Sequence, residues 1–350
     1  GKLKKELKNS VIIVDEAHNL PDRIRSILSE RLSSFTISKA VKEARAFHLD
    51  ELEAAASQMQ NVFSNLNDEL LRDNNENILK KDKFVAEVES ATGCKYDDLI
   101  NNLVAAAAEV RRNEKKSHLG SIASFLSSWQ GEEDGYARLV KKQYTRARTA
   151  FTTISYNCLN PAAASADIFS NCAASILMSG TLIPGEFYRD LLGFKPEKTQ
   201  IKVYPSPFEA KNRLVLIENS TTTKFTERNP AEFEKIAKIC SEIIREVPHN
   251  VAVFFPSYMF MQSLLSFMDG KITKQVFVYG PELSKKQRVE ILNSFKAASE
   301  TGAVLFGVTG GSFAEGIDLP GKFLEAVIVV GVPLATPDLE TRQLIDYYEF

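Results

Sequence analysis

The sequence predicts an α/β fold that contains two parallel sheets and a helical insertion. Short apolar segments of strand length recur along the chain, and helical segments such as AEFEKIAKICSEIIREV separate several of them. Strands that alternate with helices are typical of a parallel sheet covered on both faces. The predicted strands are VIIV at 11–14, followed by ASILMSGTL, RLVLIEN, NVAVFFPS, QVFVYG, AVLFGVT and EAVIVVGVP.

The distribution of proline locates the insertion. No proline occurs between Pro21 and Pro161, and apolar residues recur there at helical spacing, for example in DDLINNLVAAAAEVRR. Because proline and glycine disfavour helix interiors, a stretch with few of them favours helices. We therefore expect residues 35–150 to form a helical domain with its own core. It would interrupt a first α/β domain, made of 1–34 and 151–189, and a second would span 190–350.

Composition excludes several classes of protein. The 350 residues carry 43 Lys and Arg against 45 Asp and Glu, a net charge of −2, which excludes a histone-like basic protein. No apolar stretch reaches the roughly 18 residues of a membrane span and no signal peptide is visible, so we expect a soluble, intracellular protein. The four cysteines are far apart in sequence, which predicts reduced thiols rather than a zinc site.

Two carboxylates follow the first predicted strand directly, in VIIVDEAHNLPD. Ligands bind at the carboxyl ends of the strands in open α/β sheets. Asp15 beside Glu16 suits nucleotide hydrolysis, in which one carboxylate holds Mg²⁺ through its water shell and the other activates water. A strand that merely ends in solvated acids is the alternative, and the pair alone does not exclude it.

Two further segments end predicted strands in polar or glycine-rich loops. ASILMSGTL ends in hydroxyl side chains that would lie near Asp15 and His18 if both strands belong to one parallel sheet. AVLFGVTGGSFAEGIDLPG ends in a glycine-rich loop, but it is not the GxGxxG of a dinucleotide site. Taken singly, each segment is an ordinary turn.

The order of these motifs is more specific than any one of them. DEAH, SGTL, VFFPSY and GSFAEGIDLPG occur in the order of motifs II, III, IV and V of superfamily 2 helicases, which the chain resembles over essentially its whole length. DEAHNL, the helical block after it and EGIDLPG resemble the XPD-like branch. The resemblance implies two RecA-like motor domains, both incomplete here, with an arch domain at 35–150. It also implies an ATP-dependent DNA helicase that moves 5′-to-3′ on single-stranded DNA in nucleotide excision repair.

The resemblance also implies roles for single residues. Asp15 would bind the Mg²⁺ of MgATP through water, Glu16 would activate the attacking water, and His18 would link the nucleotide to the SGT hydroxyls. The residues expected to couple ATP hydrolysis to movement are Ser179, Gly180, Thr181, Glu315, Gly316 and Asp318.

The sequence departs from the family pattern in three ways. It contains no phosphate-binding GxxxxGK[ST], no closely spaced cysteines for the iron–sulfur cluster of the family, and no arginines of motif VI after LIDYYEF. We therefore expect an internal piece of a longer protein whose cluster ligands lie elsewhere, and we expect these 350 residues alone to be inactive.

Expected DNA contacts concentrate in YARLVKKQYTRAR at 136–148, where basic residues alternate with tyrosines. Basic side chains can hold phosphates while an aromatic ring stacks on a base, although a solvated helix face is the alternative. Ser257 and Tyr258, which follow NVAVFFP, resemble motif IV and are a second candidate. The predicted DNA-binding residues are Lys141, Lys142, Tyr144, Arg146, Arg148, Ser257 and Tyr258.

The resemblance implies single-stranded DNA and other repair proteins as partners, no membrane, and a monomeric enzyme, cytoplasmic in a prokaryote or nuclear in a eukaryote. One rival interpretation is an RNA helicase of the DEAH class, which would lack the long helical block between DEAH and SGT. Another is a helicase-like scaffold without catalysis, against which the intact DEAH argues.

Overall fold

The computed structural model describes residues 6–145, 147–309, 317–332 and 337–349. The chain divides into two compact units. Unit 1 comprises residues 1–205 and 337–350, and unit 2 comprises 206–336. The chain therefore leaves unit 1 once and returns to it for the last described helix.

The regular elements are named in chain order. The helices are α1 Leu20–Leu28, α2 Ser34–Ala46, α3 Asp50–Leu70, α4 Lys81–Thr92, α5 Tyr96–Asn113, α6 His118–Trp129, α7 Ala162–Asn171, α8 Gly185–Leu191, α9 Pro230–Glu246, α10 Tyr258–Met268, α11 Lys285–Ala297 and α12 Leu339–Tyr348. The strands are β1 Val11–Val14, β2 Glu30–Ser33, β3 Glu76–Ile78, β4 Tyr136–Tyr144, β5 Ala150–Cys158, β6 Ala174–Leu177, β7 Val251–Phe255, β8 Gln275–Val278, β9 Ala303–Val308 and β10 Ala326–Val329. No helix in the described ranges has the length and apolarity to cross a membrane.

The first parallel sheet lies in unit 1 and consists of β1 and β6. The register pairs Val11 with Ala174 and Val14 with Leu177. The two strands are separated in sequence by the whole insertion, yet they end at the same level. This pairing is the one that the sequence predicts, and it brings the segments after the two strands together.

The second parallel sheet lies in unit 2, with strand order β10-β7-β9-β8. Its central strands β7 and β9 are almost wholly buried, as their unbroken apolar sequences predict.

Six strands are predicted after VIIV, and the structure confirms five of them: ASILMSGTL, NVAVFFPS, QVFVYG, AVLFGVT and EAVIVVGVP. The prediction for RLVLIEN is wrong: 213–219 has no regular structure, and Leu214, Leu216 and Ile217 are largely exposed. An apolar run forms a strand only where a neighbour satisfies its backbone groups, and no described strand pairs with it.

The described part of the insertion contains five helices around one core, and its helical character is as predicted. Trp129, Phe84 and Phe125 are fully buried there, with ring centroids 4.9 to 6.2 Å apart. The insertion also contains an antiparallel sheet of order β2-β5-β4-β3, which the sequence did not predict. The first nine residues of YARLVKKQYTRAR therefore form β4, so a solvated helix face is the wrong description of them.

The boundaries of the insertion and of unit 2 also differ from expectation. The core of the insertion includes Leu32, Ile154 and Tyr156, all of which lie outside 35–150. Unit 2 begins at Ser206 rather than at residue 190, and residues 337–350 pack with unit 1. The reason is that strand pairing and α12 packing connect segments that are distant in sequence. Whether the two units correspond to the expected motor domains stays a prediction.

Candidate functional site

The candidate catalytic site is formed where β1 and β6 end. The hydrogen-bond ladder continues past both strands: the amide of Met178 donates to the Val14 carbonyl at 3.0 Å, and the amide of Ala17 donates to the Met178 carbonyl at 3.0 Å. Ala17 is fully buried. The backbone between Val14 and Ala17 is therefore fixed at both ends, which holds Asp15 and Glu16 at the edge of the sheet.

The backbone at the two carboxylates is strained. Glu16 has φ 49° and ψ 42°, in the left-handed region, which costs an L-residue roughly 1–2 kcal/mol. Its amide donates to Asp15 Oδ1 at 2.9 Å. Such strain persists only where the surroundings enforce it, and it concentrates at functional sites. At this turn the side chains of both Asp15 and Glu16 are exposed.

Ser179 connects the two strand ends. His18 Nδ1 lies 2.7 Å from Ser179 Oγ, and the same hydroxyl lies 3.4 Å from Glu16 Oε2 and 3.3 Å from Thr181 Oγ1. The Thr181 amide also donates to Ser179 Oγ, at 3.1 Å. The structure thus brings together the DEAH and SGT groups that the sequence singled out, with Gly180 between the two hydroxyl residues. Their roles in ATP chemistry stay predictions.

The carboxylates at this site fit a hydrated magnesium ion. Carboxylate oxygens are the ligands that Mg²⁺ takes, commonly one or two of them together with water and substrate phosphates. Neither Asp15 nor Glu16 is paired with a lysine or arginine of the described chain, and the only ionisable partner of Glu16 there is His18 at 3.4 Å. No described group of three or more His, Cys, Asp or Glu could hold a metal. A magnesium ion here would therefore depend on Asp15 and on nucleotide oxygens.

The residues expected from motif V are only partly described. Glu315 and Gly316 lie outside the described residues. Asp318 is exposed in unit 2, in irregular backbone ten residues beyond the end of β9. Its role in ATP coupling stays a prediction.

Lys141 has a different setting from the one expected of a DNA contact. Its ammonium group lies 2.8 Å from Asp338 Oδ2 and 3.2 Å from Glu76 Oε2. Burial opposes the charge, but hydrogen bonds to the two carboxylates outweigh it, and the pKa of Lys141 is raised. Two carboxylates already neutralise the charge of the Lys141 ammonium, so it attracts a DNA phosphate only weakly. Its contacts within unit 1 give it a structural role.

The turn between β4 and β5 remains the better DNA candidate. Tyr144 is 56% exposed at the end of β4, and Lys142 lies two residues before it on the same face of the strand. Arg148 is exposed in the turn, with φ 60°. Arg146 lies outside the described residues. An exposed ring beside basic side chains has the composition of a single-strand binding surface.

Arg138 in the same segment has a structural role that the sequence did not reveal. It is 7% exposed, and its guanidinium lies over the Trp129 and Tyr156 rings at 5.5 and 4.6 Å. It donates to the carbonyls of Trp129, Gly131 and Glu132 at distances from 2.6 to 3.2 Å. The arginine therefore satisfies the carboxyl end of α6 and is not a free surface cation. The only sequence signal was its position in an otherwise apolar run.

Ser257 and Tyr258 lie at the start of α10, after β7. Ser257 Oγ accepts from the Phe260 amide at 3.2 Å, which makes the serine the N-cap of the helix. Tyr258 is partly buried against the core of unit 2. These contacts give both residues structural roles, and a contact with DNA stays a prediction.

The cysteines do not form an iron–sulfur site. Cys94, Cys158, Cys172 and Cys240 are free thiols, and the last lies in unit 2 while the others lie in unit 1. Burial raises the pKa of Cys240 to about 12, which keeps it a neutral thiol at physiological pH. The residues of this chain therefore do not fit the cluster that the family resemblance implies.

Comparison with known families agrees with the motifs. A model named DEAD_2 matches residues 1–37, and a model of the helicase C-terminal domain matches residues 240–350. The first region contains Asp15, Glu16 and His18, and the second contains β7 to β10. The chain is similar to the XPD-like branch of helicase superfamily 2.

Two curated relatives support this similarity over nearly the whole chain. The ATP-dependent DNA helicase CHL1 of Meyerozyma guilliermondii is 27% identical over 98% of this chain and 46% of that protein. The ATP-dependent DNA helicase XPD of Sulfolobus acidocaldarius is 27% identical over 95% of this chain and 56% of that protein. The XPD-like chain thus spans about half the length of these relatives.

A solved structure of apo XPD has the same fold. It covers 99% of the XPD-like chain and 65% of its own, with a TM-score of 0.59 and 21% identity. The likeness confirms the α/β fold with an insertion that the sequence predicts.

Proposed function

We propose that the whole protein is an ATP-dependent DNA helicase that moves 5′-to-3′ along single-stranded DNA. The observation that carries this proposal is the parallel pairing of β1 with β6, which joins the DEAH carboxylates to the SGT hydroxyls through His18 and Ser179. The names of the CHL1 and XPD relatives support DNA as the nucleic acid. The direction of movement and a role in nucleotide excision repair follow from the family resemblance alone.

The two carboxylates have different tasks in this proposal. Asp15 would hold Mg²⁺, and Glu16 would accept the proton of the water that attacks the γ-phosphate. Magnesium, when bound, neutralises charge on the phosphate oxygens. The left-handed turn of the backbone at Glu16 positions its carboxylate for this task, and its contact with Ser179 Oγ at 3.4 Å orients it.

His18 and Ser179 form the sensor of the nucleotide state. The imidazole is 25% exposed, and its Nδ1 lies on Ser179 Oγ, so a group that approaches its other face changes the hydrogen bonding of the hydroxyl. The loop that contains Thr181 connects Ser179 to α8. Occupation of the carboxylate site can therefore be transmitted to the chain after β6.

DNA contact is assigned to the β4–β5 turn. Tyr144 provides an exposed ring for a base, and Lys142 and Arg148 provide charge for phosphates. Lys141 is left out of this surface because Glu76 and Asp338 already hold its charge.

The test uses the full-length protein with Glu16→Gln and wild type. The variant keeps the shape of the side chain but cannot accept a proton, so ATP turnover should fall by about 10² to 10⁴-fold while ATP binding stays within a fewfold. Glu349 is an exposed carboxylate directly after α12. The variant Glu349→Gln is the matched control and should turn over ATP as wild type does. Turnover and binding are measured together with unwinding of forked DNA and forked RNA.

The outcomes separate the alternatives. An RNA helicase would unwind the RNA fork and leave the DNA fork paired. A scaffold would show no ATP turnover in wild type. Glu16→Gln turnover within a fewfold of wild type would refute the role given to Glu16.

A further inference from the structure

The last described segment, 337–349, lies on the insertion although its sequence belongs to the region that matches the helicase C-terminal domain. Its helix α12 covers the face of the antiparallel sheet opposite the helices of the insertion. Leu339, Leu344 and Tyr347 pack there against Ala137, Leu139 and Leu159. The chain returns from unit 2 through this segment, so it is the covalent tether between unit 2 and the insertion.

Polar contacts fix both ends of the segment. At its start, Asp338 receives the Lys141 ammonium at 2.8 Å, and Glu76 accepts from the Leu339 amide at 2.7 Å. At its end, the Tyr348 hydroxyl donates to the Leu159 carbonyl at 3.1 Å. Asp338 is also the N-cap of α12, since its Oδ1 accepts from the Thr341 amide at 3.0 Å.

Between these ends the segment buries little surface, although an ion pair joins Glu340 to Arg31 at 3.3 Å. No residue of α12 is fully buried. Two clefts of about 420 and 330 Å³ separate it from α1, and both are lined by Arg25 and Leu344. The smaller cleft reaches His18 of the candidate catalytic site. Elements with little buried surface open locally at low free energy.

A ten-residue helix is too short to be stable by itself in water. Release of the segment from the sheet would therefore unfold α12, and docking would fold it again. Docking and folding would then be one event, and the segment would have two discrete states.

We propose that residues 337–349 form a detachable strap, which transmits movement of unit 2 to the insertion and to α1 beside the catalytic site. Asp338 is its releasable anchor, through the ion pair with Lys141 and the cap of α12. What the strap transmits rests on the proposed helicase function, whereas its detachment does not.

Hydrogen exchange of the 350-residue chain tests detachment. Asp338→Asn keeps a good N-cap and loses the charge, so exchange of the α12 amides should accelerate about threefold. Asp338→Ala loses both, and the acceleration should reach about tenfold or more. Exchange in α3, within the core of the insertion, should not change, and neither should α12 exchange in the control Glu349→Gln. Unchanged α12 exchange in both Asp338 variants, or equal acceleration in α12 and α3, would overturn the strap.

The ATP turnover of the full-length protein tests coupling. In Asp338→Ala, the stimulation of turnover by single-stranded DNA should fall severalfold while the basal rate stays within twofold of wild type, because Asp338 is outside the catalytic site. Unchanged stimulation in a variant with accelerated α12 exchange would refute coupling. Absence of turnover in wild type would refute the proposed function instead, and the exchange result would still decide whether the strap detaches.

Discussion

His18 Nδ1 and Ser179 Oγ lie 2.7 Å apart, although 161 positions separate them in the sequence. The parallel register of β1 and β6 brings the two segments together, and the hydrogen bond from the Ala17 amide to the Met178 carbonyl continues the ladder toward His18. If the pair senses the nucleotide as one unit, His18→Ala and Ser179→Ala should each lower DNA-stimulated ATP turnover of the full-length protein by about tenfold, and the double variant should be no worse than the more damaged single one. Turnover rates of the four proteins form the complete cycle.

A control for this cycle lies on the same strand. Ser175→Ala removes a hydroxyl from β6 away from the strand end, and its turnover should equal that of wild type. Multiplying effects in the His18 and Ser179 double variant would mean that the two groups act independently.

Basic residues of the β4–β5 turn should govern the salt dependence of DNA binding. Replacing Lys142 and Arg148 with alanine should lower the logarithmic salt slope by roughly 0.7 for each DNA phosphate that the protein no longer neutralises. Tyr144→Ala should instead weaken binding by roughly 1–3 kcal/mol and leave the slope unchanged, because a stacked base carries no counterion. Titration of a fluorescent single-stranded oligonucleotide at several salt concentrations measures both quantities.

Lys141→Met is the matched control for this surface. Lys141 is adjacent to Lys142 in sequence, but its charge is held by Glu76 and Asp338. Its replacement should leave the salt slope unchanged. A slope that falls with Lys141→Met and stays constant in the Lys142 and Arg148 variant would place the DNA path on the other face of β4.

The sequence was sufficient to anticipate which groups of the candidate catalytic site lie together, because their proximity depends mainly on strand order. Asp15 and Ser179 each follow an apolar strand closely, and parallel strands present their carboxyl ends at one edge. Local pattern and position were enough to place the two groups together.

The roles of Lys141 and Arg138 could not be anticipated in the same way. Lys141 contacts Asp338, which is 197 positions away, and no local pattern indicates that partner. Scarcity of proline predicted helix throughout the insertion, but it does not exclude strands. The sheet forms because β4 pairs with β5 along nine residues and both faces are then covered. Tertiary contacts here outweigh the local preference.

The boundaries of the insertion can be tested by expression in isolation. Residues 30–158 contain all four strands and Leu32, Ile154 and Tyr156 of the core. We expect this piece to unfold cooperatively and to show a circular dichroism spectrum that is mainly helical with a strand component. Residues 35–150 lack β2 and nearly all of β5, so they should be less stable by several kcal/mol, as truncation of single large core side chains already costs about 2–5 kcal/mol. Equal urea midpoints for the two pieces would show that the sheet does not contribute to the fold.

The anchor of the strap should weaken in acid. The Lys141 ammonium lowers the pKa of Asp338 from its ordinary 3.8 to about 2, and its hydrogen bonds with Thr341 add to the effect. Because the pKa is lower in the folded state, the contribution of this carboxylate to stability is complete above the ordinary value and is lost as pH falls through about 2. The side chain is 38% exposed, so solvent screening limits the contribution to less than about 1 kcal/mol.

The α12 amide protection of wild type should therefore exceed that of Asp338→Asn near neutral pH, and the difference should shrink between pH 4 and pH 2. Protection factors corrected for the intrinsic pH dependence of exchange measure it. A difference that stays constant down to pH 2 would mean that the charge of Asp338 does not hold the strap.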